Sequence, residues 1–298
     1  MKQILRSLFN KLGYDFIKIN MHSADKAGKV MPVKVGNYKI LMPGNNPQIS
    51  VYKYYPDANT QLARLAKIIV AKYKDTSMID VGANVGDTIA VVRSQINIPI
   101  IAIEGDRFSF SFLLKNTRQL NDVFILNQFL GEEKKEMYVS MEKEGWNNTI
   151  IPDEKGTTKL DLKTLDEVIE ENKLEGRNIK LLKIDTEGFD TIILRGCRKT
   201  IAKDKPVIYL EYNGESMNKI GEDGLSTLLS LQEYGYKTIH IYDCINNLIM
   251  VTTLKNTDSL RQLHEYAHKQ KSMIPYYDIC VFHDNDDDLS KQFHESER

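Results

Sequence analysis

Three carboxylates follow two apolar segments in the middle of the chain. Asp185 and Glu187 come directly after residues 180–184, and Glu211 follows residues 207–210. Residues two apart in an extended segment face the same way, so Asp185 and Glu187 would project together. Crowded carboxylates are costly unless a cationic or protic group lies between them. We therefore predict that all three are catalytic and that either Asp185 or Glu187 takes a proton from a hydroxyl.

Two alternatives remain open for these acids. One or more of them can cap the next helix or pair with Lys183 or Arg195. The three together can also hold Mg²⁺ or Ca²⁺, which take oxygen ligands. Nothing in the motif requires a divalent metal, and we predict no metal site.

A second cluster of candidate residues lies in a glycine-rich stretch, residues 78–87, with the sequence MIDVGANVGD. It indicates a buried strand, a tight loop and a helix that Asp87 or Thr88 caps. That order places a nucleotide-like ligand at the carboxyl ends of parallel strands. The predicted ligand contacts are Asp80, Gly82, Ala83, Asn84, Gly86, Asp87 and Thr88.

The loop favours a ligand without phosphates. A dinucleotide site requires G-x-G-x-x-G, whereas this chain has Gly82, Asn84 and Asp87 at those positions. An acid would therefore face the phosphates. S-adenosylmethionine, with its sulfonium and ammonium groups, suits the loop better, and Asp185 is predicted to contact it as well.

The next apolar segment, residues 100–103, ends in Glu104 and Gly105. An acid about 20 residues after such a loop holds a ribose diol, so both residues are predicted to bind the same cofactor. Dinucleotide enzymes carry that acid too, which leaves an NAD(P)-dependent oxidoreductase or epimerase as an alternative. A non-catalytic binding subunit is the other alternative.

The motifs DVGANVGD, AIEGD, LLKIDTEG, ILRG and VIYLE together resemble those of the FkbM-type S-adenosylmethionine-dependent methyltransferases. The resemblance covers roughly residues 78–211 and keeps the family's order and spacing. It implies an α/β fold with a Rossmann-like, seven-stranded class I methyltransferase sheet, helices on both faces and an antiparallel edge. It also implies O-methylation, often of a sugar hydroxyl in a glycan or natural product, with S-adenosylhomocysteine as the other product.

Alternating strand and helix patterns extend this architecture along the chain. We predict an N-terminal amphipathic helix and small β cover (residues 1–57), a methyltransferase domain (residues 58–284) and a disordered charged tail (residues 285–298). In the cover, two short strands should flank a turn at residues 43–47. Residues 136–140 and 158–162 are predicted to form extra strands.

A polar loop lies between those extra strands and contains the chain's one tryptophan. The resemblance places a variable polar segment there, over the cofactor edge. Trp146 can stack on a sugar face, and Asn147, Asn148 and Thr149 can bond to hydroxyls, so these four are the predicted substrate-binding residues. A surface loop with one anchoring tryptophan is the alternative.

His264 and His268 match the H-E-x-x-H pattern of zinc proteases. The match is short and no third ligand follows at the expected spacing. A solvated helix face or a substrate-side lid is the preferred interpretation.

Composition narrows the possible partners. The 298 residues carry a net charge of −1, which provides no field to attract nucleic acid. The sequence contains no run long enough to span a membrane, and its three cysteines form no disulfide framework. We therefore predict a cytoplasmic protein. Its basic amphipathic residues 1–20 can pack on the domain, contact a second subunit in a homodimer, or touch the inner face of a membrane.

Overall fold

The computed structural model describes residues 28–144, 147–269 and 274–297. It begins with an antiparallel hairpin of β1 (Val30–Val35) and β2 (Tyr38–Pro43), followed by helix α1 (Gln48–Tyr54). The chain turns at residues 43–47 as predicted, where the Asn46 amide donates to the Pro43 carbonyl at 2.9 Å, but α1 follows in place of the second expected strand. The two strands pair instead through a turn at Gly36, whose φ of +53° suits a tight two-residue connection. The predicted helix in residues 1–20 lies outside the described residues.

The remaining strands form two sheets. They are β3 (Thr76–Val81), β4 (Ile100–Ile103), β5 (Val123–Leu126), β6 (Phe129–Leu130), β7 (Lys135–Glu144), β8 (Asn147–Pro152), β9 (Thr158–Lys163), β10 (Asn178–Ile184), β11 (Val207–Tyr212), β12 (Tyr236–Asp243), β13 (Leu248–Thr253) and β14 (Tyr277–His283).

Helices connect these strands. They are α2 (Thr60–Lys72), α3 (Asp87–Arg93), α4 (Arg107–Thr117), α5 (Leu165–Glu171), α6 (Asp190–Arg195), α7 (Arg198–Asp204), α8 (Gly214–Ile220), α9 (Leu225–Ser230), α10 (Thr257–Ala267) and α11 (Asp287–Ser296), with 3₁₀ turns at Leu231–Tyr234 and Asp284–Asp286.

The main sheet has the strand order β13-β12-β14-β11-β10-β3-β4-β5. The five strands from β11 to β5 are parallel, and β14 runs antiparallel between β11 and β12. This confirms the Rossmann-like α/β fold and its antiparallel edge. The seven expected strands are present, and β13 adds an eighth at the outer edge.

Helices cover both faces of this sheet, as expected. Every residue of β3 and β4 is buried, which is typical of strands covered on both sides. Ile79 belongs to the core on the side of α5 to α10, whereas its neighbour Met78 belongs to the core on the side of α2, α3 and α11. The carboxyl ends of the parallel strands are thereby left as the open edge.

A four-stranded accessory sheet, with the order β6-β9-β7-β8, lies between β5 and α5 in the sequence. Strands β7 and β9 confirm the two predicted extra strands. The predicted loop is wrong for residues 147–149, because they pair with residues 142–144 in an antiparallel ladder. Trp146 lies outside the described residues.

The tail is helical, which corrects its assignment as a disordered segment. Leu289 and Phe293 lie one turn apart in α11 and are 1% and 0% exposed. Phe293 stacks against His240 of β12, with ring centroids 5.8 Å apart. The tail is therefore an amphipathic helix that covers the sheet, and its many charged residues make its apolar positions hard to recognise in the sequence.

Within the described part of the chain, no helix is long and apolar enough to cross a membrane.

Candidate functional site

A cavity of about 450 Å³ opens at the carboxyl edge of β3, β4, β10 and β11. Residues predicted from the sequence to bind cofactor or perform chemistry line it: Gly82, Asn84, Asp87, Thr88, Glu104, Gly105, Asp185, Glu187 and Glu211. The topology therefore brings the two predicted clusters to one site. Asp80, Ala83 and Gly86 are buried and do not line the cavity.

Asp80 forms an ion pair with Lys183 on the neighbouring strand β10. Its Oδ1 atom lies 3.0 Å from Nζ of Lys183, and both side chains are buried. Lys183 also lies 3.4 Å from Oδ2 of Asp185, whose side chain is 48% exposed. Burial opposes the lysine charge, but Asp80 and Asp185 outweigh it and raise the pKa of Lys183. This pairing was one of the alternatives for Asp185, and the structure shows it. Arg195 instead pairs with Glu132 and Glu222, away from these acids.

The glycine loop packs directly on the end of β10. Gly82 has a φ of +74°, and a Cβ there would lie 1.8 Å from the carbonyl oxygen of Asp185. Only glycine permits this approach. Gly86, at φ +86°, immediately precedes α3. These glycines therefore shape the loop so that the backbone near Asn84 borders the cavity.

Glu104 closes the neighbouring side of the cavity. Its two carboxylate oxygens accept hydrogen bonds from the backbone amides of Asn84 and Asp106, at 2.8 and 2.7 Å. Burial raises the pKa of Glu104 to about 7, although these two hydrogen bonds oppose the rise. Its carboxylate is thus fixed beside the loop, where a ribose diol was predicted to bind.

Asp87 connects the loop to α1. The hydroxyl of Tyr52 donates to Oδ2 of Asp87 at 2.8 Å, and Asn59 donates to the same hydroxyl at 3.0 Å. Asn46, Gln48 and Asn59 line the cavity from this side. This contribution was not predicted, in part because residues 48–54 were expected to form a strand and form α1 instead.

The turn that follows β10 has an unusual backbone conformation. Glu187 has a φ of +54°, in the left-handed region that non-glycine residues rarely adopt. The buried carboxylate of Asp190 accepts from the amides of Thr186 and Gly188, at 3.3 and 3.2 Å. Asp190 thereby stabilises the turn that carries Glu187. The spacing D-T-E-G-F-D, with an acid three residues after Glu187, is the sequence signal for this turn, and the role of Asp190 was not predicted from it.

Glu211 is 9% exposed and lies opposite Asp278 in the pairing of β11 with β14. Burial, followed by the charges of Asp185 and Glu187, raises the pKa of Glu211 well above its usual value. Asp278 and Tyr276 also line the cavity. Neither was predicted, because their position depends on the long-range insertion of β14 beside β11.

The opposite side of the cavity is apolar. Its lining includes Phe129 and Leu130 of β6 and, from the accessory sheet and α6, Met137, Ile150, Leu160, Leu162 and Ile193. Ile150 directly follows the predicted substrate-binding residues Asn147, Asn148 and Thr149, so this strand borders the cavity. The roles of those residues and of Trp146 remain predictions.

The H-E-x-x-H pair lies elsewhere. Nδ1 of His264 is 2.7 Å from the Tyr212 hydroxyl, and its Nε2 is 3.1 Å from Asp223. Neither histidine lines the cavity. Across the described residues, no group of three or more His, Cys, Asp or Glu side chains could hold a metal ion.

The chemistry of the lining fits S-adenosylmethionine. Carboxylates of Glu104 and Asp87 suit a diol and a cationic group. Oδ1 of Asn84 and Oγ1 of Thr186 are buried and have no hydrogen-bond partner among the described residues. Both residues line the cavity, so a polar ligand there would satisfy these atoms.

Comparison with known proteins agrees with this chemistry. The family model described as the methyltransferase FkbM domain matches residues 80–238. The match favours a methyltransferase over an NAD(P)-dependent oxidoreductase. No curated protein sequence matches the chain.

Among solved structures, the chain is similar to a methyltransferase FkbM from Methylobacillus flagellatus KT, with 15% identity and a TM-score of 0.42. The alignment covers 78% of this chain and 52% of that one. The chain therefore spans about half the length of that protein.

It is also similar to a precorrin-6y C5,15-methyltransferase from Geobacter metallireducens GS-15, with 12% identity, coverage of 75% and 87%, and a TM-score of 0.38. A third is the Pyrococcus abyssi tRNA (uracil-54, C5)-methyltransferase, with 10% identity, coverage of 85% and 44%, and a TM-score of 0.41.

The family assignment rests on the match between the sequence and the family model. Because the methyltransferase FkbM domain covers more than half of its residues, this chain belongs to the FkbM family of S-adenosylmethionine-dependent methyltransferases.

Proposed function

We propose that the enzyme methylates a hydroxyl of a sugar, in a bacterial glycan or a glycosylated product. The observation that carries this proposal is that Asp185, Glu187 and Glu211 line the same cavity as the glycine loop and Glu104. A hydroxyl is a poor nucleophile, so a carboxylate beside the cofactor is the group that O-methylation needs.

The chain's own residues divide the work of holding the cofactor. Glu104 would accept from the ribose hydroxyls, and the loop at Gly82 and Asn84 would lie along the amino-acid part. Asp87 and Asp185 would offset positive charge. When bound, S-adenosylmethionine supplies a methyl group made electrophilic by its sulfonium. Alignment of the acceptor oxygen by the cavity walls can lower the barrier by about 7–11 kcal/mol.

Glu187 is the proposed base. Asp185 already lies 3.4 Å from the Lys183 ammonium and is engaged in that ion pair. Without a cation beside it, Glu211 has a raised pKa, because burial and the charges of Asp185 and Glu187 favour its protonated form. Glu187 is partly exposed, and its strained backbone aims a side chain at the cavity. It takes the proton that the acceptor hydroxyl loses, a contribution of about 10²–10⁴-fold.

The amide groups at the cavity support a hydroxyl-rich acceptor. Nδ2 of Asn46 and Oε1 of Gln48 are buried without a hydrogen-bond partner among the described residues, and both side chains line the cavity. Sugar hydroxyls donate and accept, and so would satisfy both atoms. A cytoplasmic location, a membrane or homodimer contact through residues 1–20, and sugar stacking on Trp146 belong to the same proposal.

Acceptor-dependent release of S-adenosylhomocysteine tests the proposal, with neutral and amino sugars and their methyl glycosides as acceptors. Glu187→Gln should lower kcat by about 10²–10⁴-fold with little change in KM for S-adenosylmethionine. Asp185→Asn should mainly raise that KM, and Glu136→Gln, an exposed acid of β7, serves as the control. Transfer to nitrogen or carbon, or a Glu187→Gln variant as active as the wild type, would contradict the proposal.

A further inference from the structure

Two carboxylates of the cavity face each other across the antiparallel edge of the sheet. Glu211 of β11 is the register partner of Asp278 of β14, and both side chains line the cavity. Like charges directly opposite in an antiparallel pair are destabilising. The arrangement therefore lowers the stability of the sheet unless a ligand binds between the two carboxylates.

The hydrogen bonding of the pair leaves one atom unsatisfied. Burial, followed by the charge of Asp185, raises the pKa of Asp278 to about 7, and the neighbouring Tyr209 hydroxyl opposes this rise. Oε2 of Glu211 is buried and lacks a hydrogen-bond partner within the described residues, and the whole residue is only 9% exposed. A buried carboxylate oxygen that borders a cavity without a partner points to a donor group supplied by a ligand.

The charge of the cavity lining also indicates a ligand that carries a positively charged donor. Its acids are Asp87, Glu104, Asp106, Asp185, Glu187, Glu211 and Asp278. Lys183 is the only basic residue that lines the cavity in the described part of the chain, and it is paired with Asp80 and Asp185. S-adenosylmethionine, with two cationic groups and one carboxylate, brings a net charge of +1. The lining therefore keeps an excess of negative charge when the cofactor is bound.

We propose that Glu211 and Asp278 bind an ammonium group of the acceptor, so that the methylated hydroxyl belongs to an amino sugar or another amine-bearing molecule. The inference rests on the proposed O-methylation and names the substrate class of that site. An ammonium donates up to three hydrogen bonds, which matches two convergent carboxylates. Tyr276 lines the same end of the cavity and offers an aromatic ring beside the cation.

A metal ion is a poorer occupant for this pair. The described residues contain no group of three or more side chains able to ligate one. A proton shared between the two carboxylates would also relieve the repulsion. That arrangement needs no amine, so acceptor binding separates the two explanations.

The test is calorimetry with the full-length protein saturated with S-adenosylhomocysteine, near neutral pH. The probes are D-glucosamine and D-galactosamine, each compared with its N-acetyl form and with the parent neutral sugar. The proposal predicts that at least one amine binds tenfold or more tightly than both of its neutral counterparts. Glu211→Gln and Asp278→Asn should each remove most of that difference, whereas Glu136→Gln should preserve it.

Binding of S-adenosylhomocysteine to each variant reports whether the fold and cofactor site remain intact. Neutral sugars that bind as tightly as the amines, amines that do not bind, or a preference that survives both substitutions would overturn the inference. Methylation of neutral sugars would still leave the proposed function standing. Failure of the wild type to bind S-adenosylhomocysteine would instead overturn the proposed function.

Discussion

Replacement of Lys183 by methionine should strongly destabilise the fold. Nζ of Lys183 and Oδ1 of Asp80 are 3.0 Å apart, and the two side chains are 6% and 0% exposed. At an effective dielectric constant of about 20, their attraction is about 5–6 kcal/mol. Desolvation of both ions offsets much of it, so the intact pair adds little net stability.

Removing one partner of this ion pair lowers the free energy of unfolding by more than the intact pair contributes to it. Lys183→Met leaves the Asp80 carboxylate buried without a counter-ion, which typically costs about 3–5 kcal/mol. The contact with Asp185 adds less, because that carboxylate is half exposed and screened by solvent. We expect the free energy of unfolding to fall by about 3–5 kcal/mol.

The sign of the pH dependence follows from Asp80. Without the lysine, the pKa of Asp80 in the folded state rises further above its unfolded value. The unfolded state then loses its proton at lower pH than the folded state, so stability falls as pH rises between the two pKa values. The defect of Lys183→Met should thus be larger at pH 8 than at pH 5.

Urea unfolding followed by circular dichroism measures this effect in a double-mutant cycle. The pair Asp80→Leu and Lys183→Met, which removes both charges, should recover most of the loss in stability. Lys159→Met, at an exposed ion pair with Glu136, is the control and should change stability little. A loss below about 1 kcal/mol for Lys183→Met, equal at both pH values, would refute the reasoning.

Three further perturbations test other parts of the structure. Binding of S-adenosylhomocysteine should tighten by about tenfold from pH 6 to pH 8, because Glu104 ionises near pH 7 and its charged form accepts from the ribose. Calorimetry should show affinity that does not change with pH for Glu104→Gln, and the same pH dependence in that variant as in the wild type would contradict this role. Gly82→Ala should abolish cofactor binding or folding, because its Cβ would lie 1.8 Å from a carbonyl oxygen, whereas Gly176→Ala, with no atom within 4 Å, should melt and bind like the wild type. Phe293→Ala should cost about 3–5 kcal/mol in urea unfolding, since the ring is fully buried in α11, and a tail that is disordered would show no loss.

The sequence predicted the centre of the fold well because the signals there are local. The loop from Gly82 to Gly86 and the acids at strand ends depend on short spacings, and parallel strands bring their carboxyl ends to one edge. Glu104 and Asp185 therefore lie at the cavity as expected.

The remaining features depend on contacts between distant segments. Asp80 was expected at the ligand, but the register of β3 with β10 sets it beside Lys183. Asp278 enters the cavity only because β14 inserts between β11 and β12. In the sequence, the tail is rich in charged residues. In the structure, burial of Leu289 and Phe293 against the sheet stabilises its helix. Such packing has no signature within a short window of sequence.

The most direct test of the account is calorimetric titration of the purified protein with S-adenosylmethionine, S-adenosylhomocysteine and NAD⁺. We expect micromolar binding of the first two and none of NAD⁺, with Glu104→Ala weakening binding by roughly 1–3 kcal/mol through the lost ribose contact. Binding of NAD⁺ alone, or of none of the three, would contradict it.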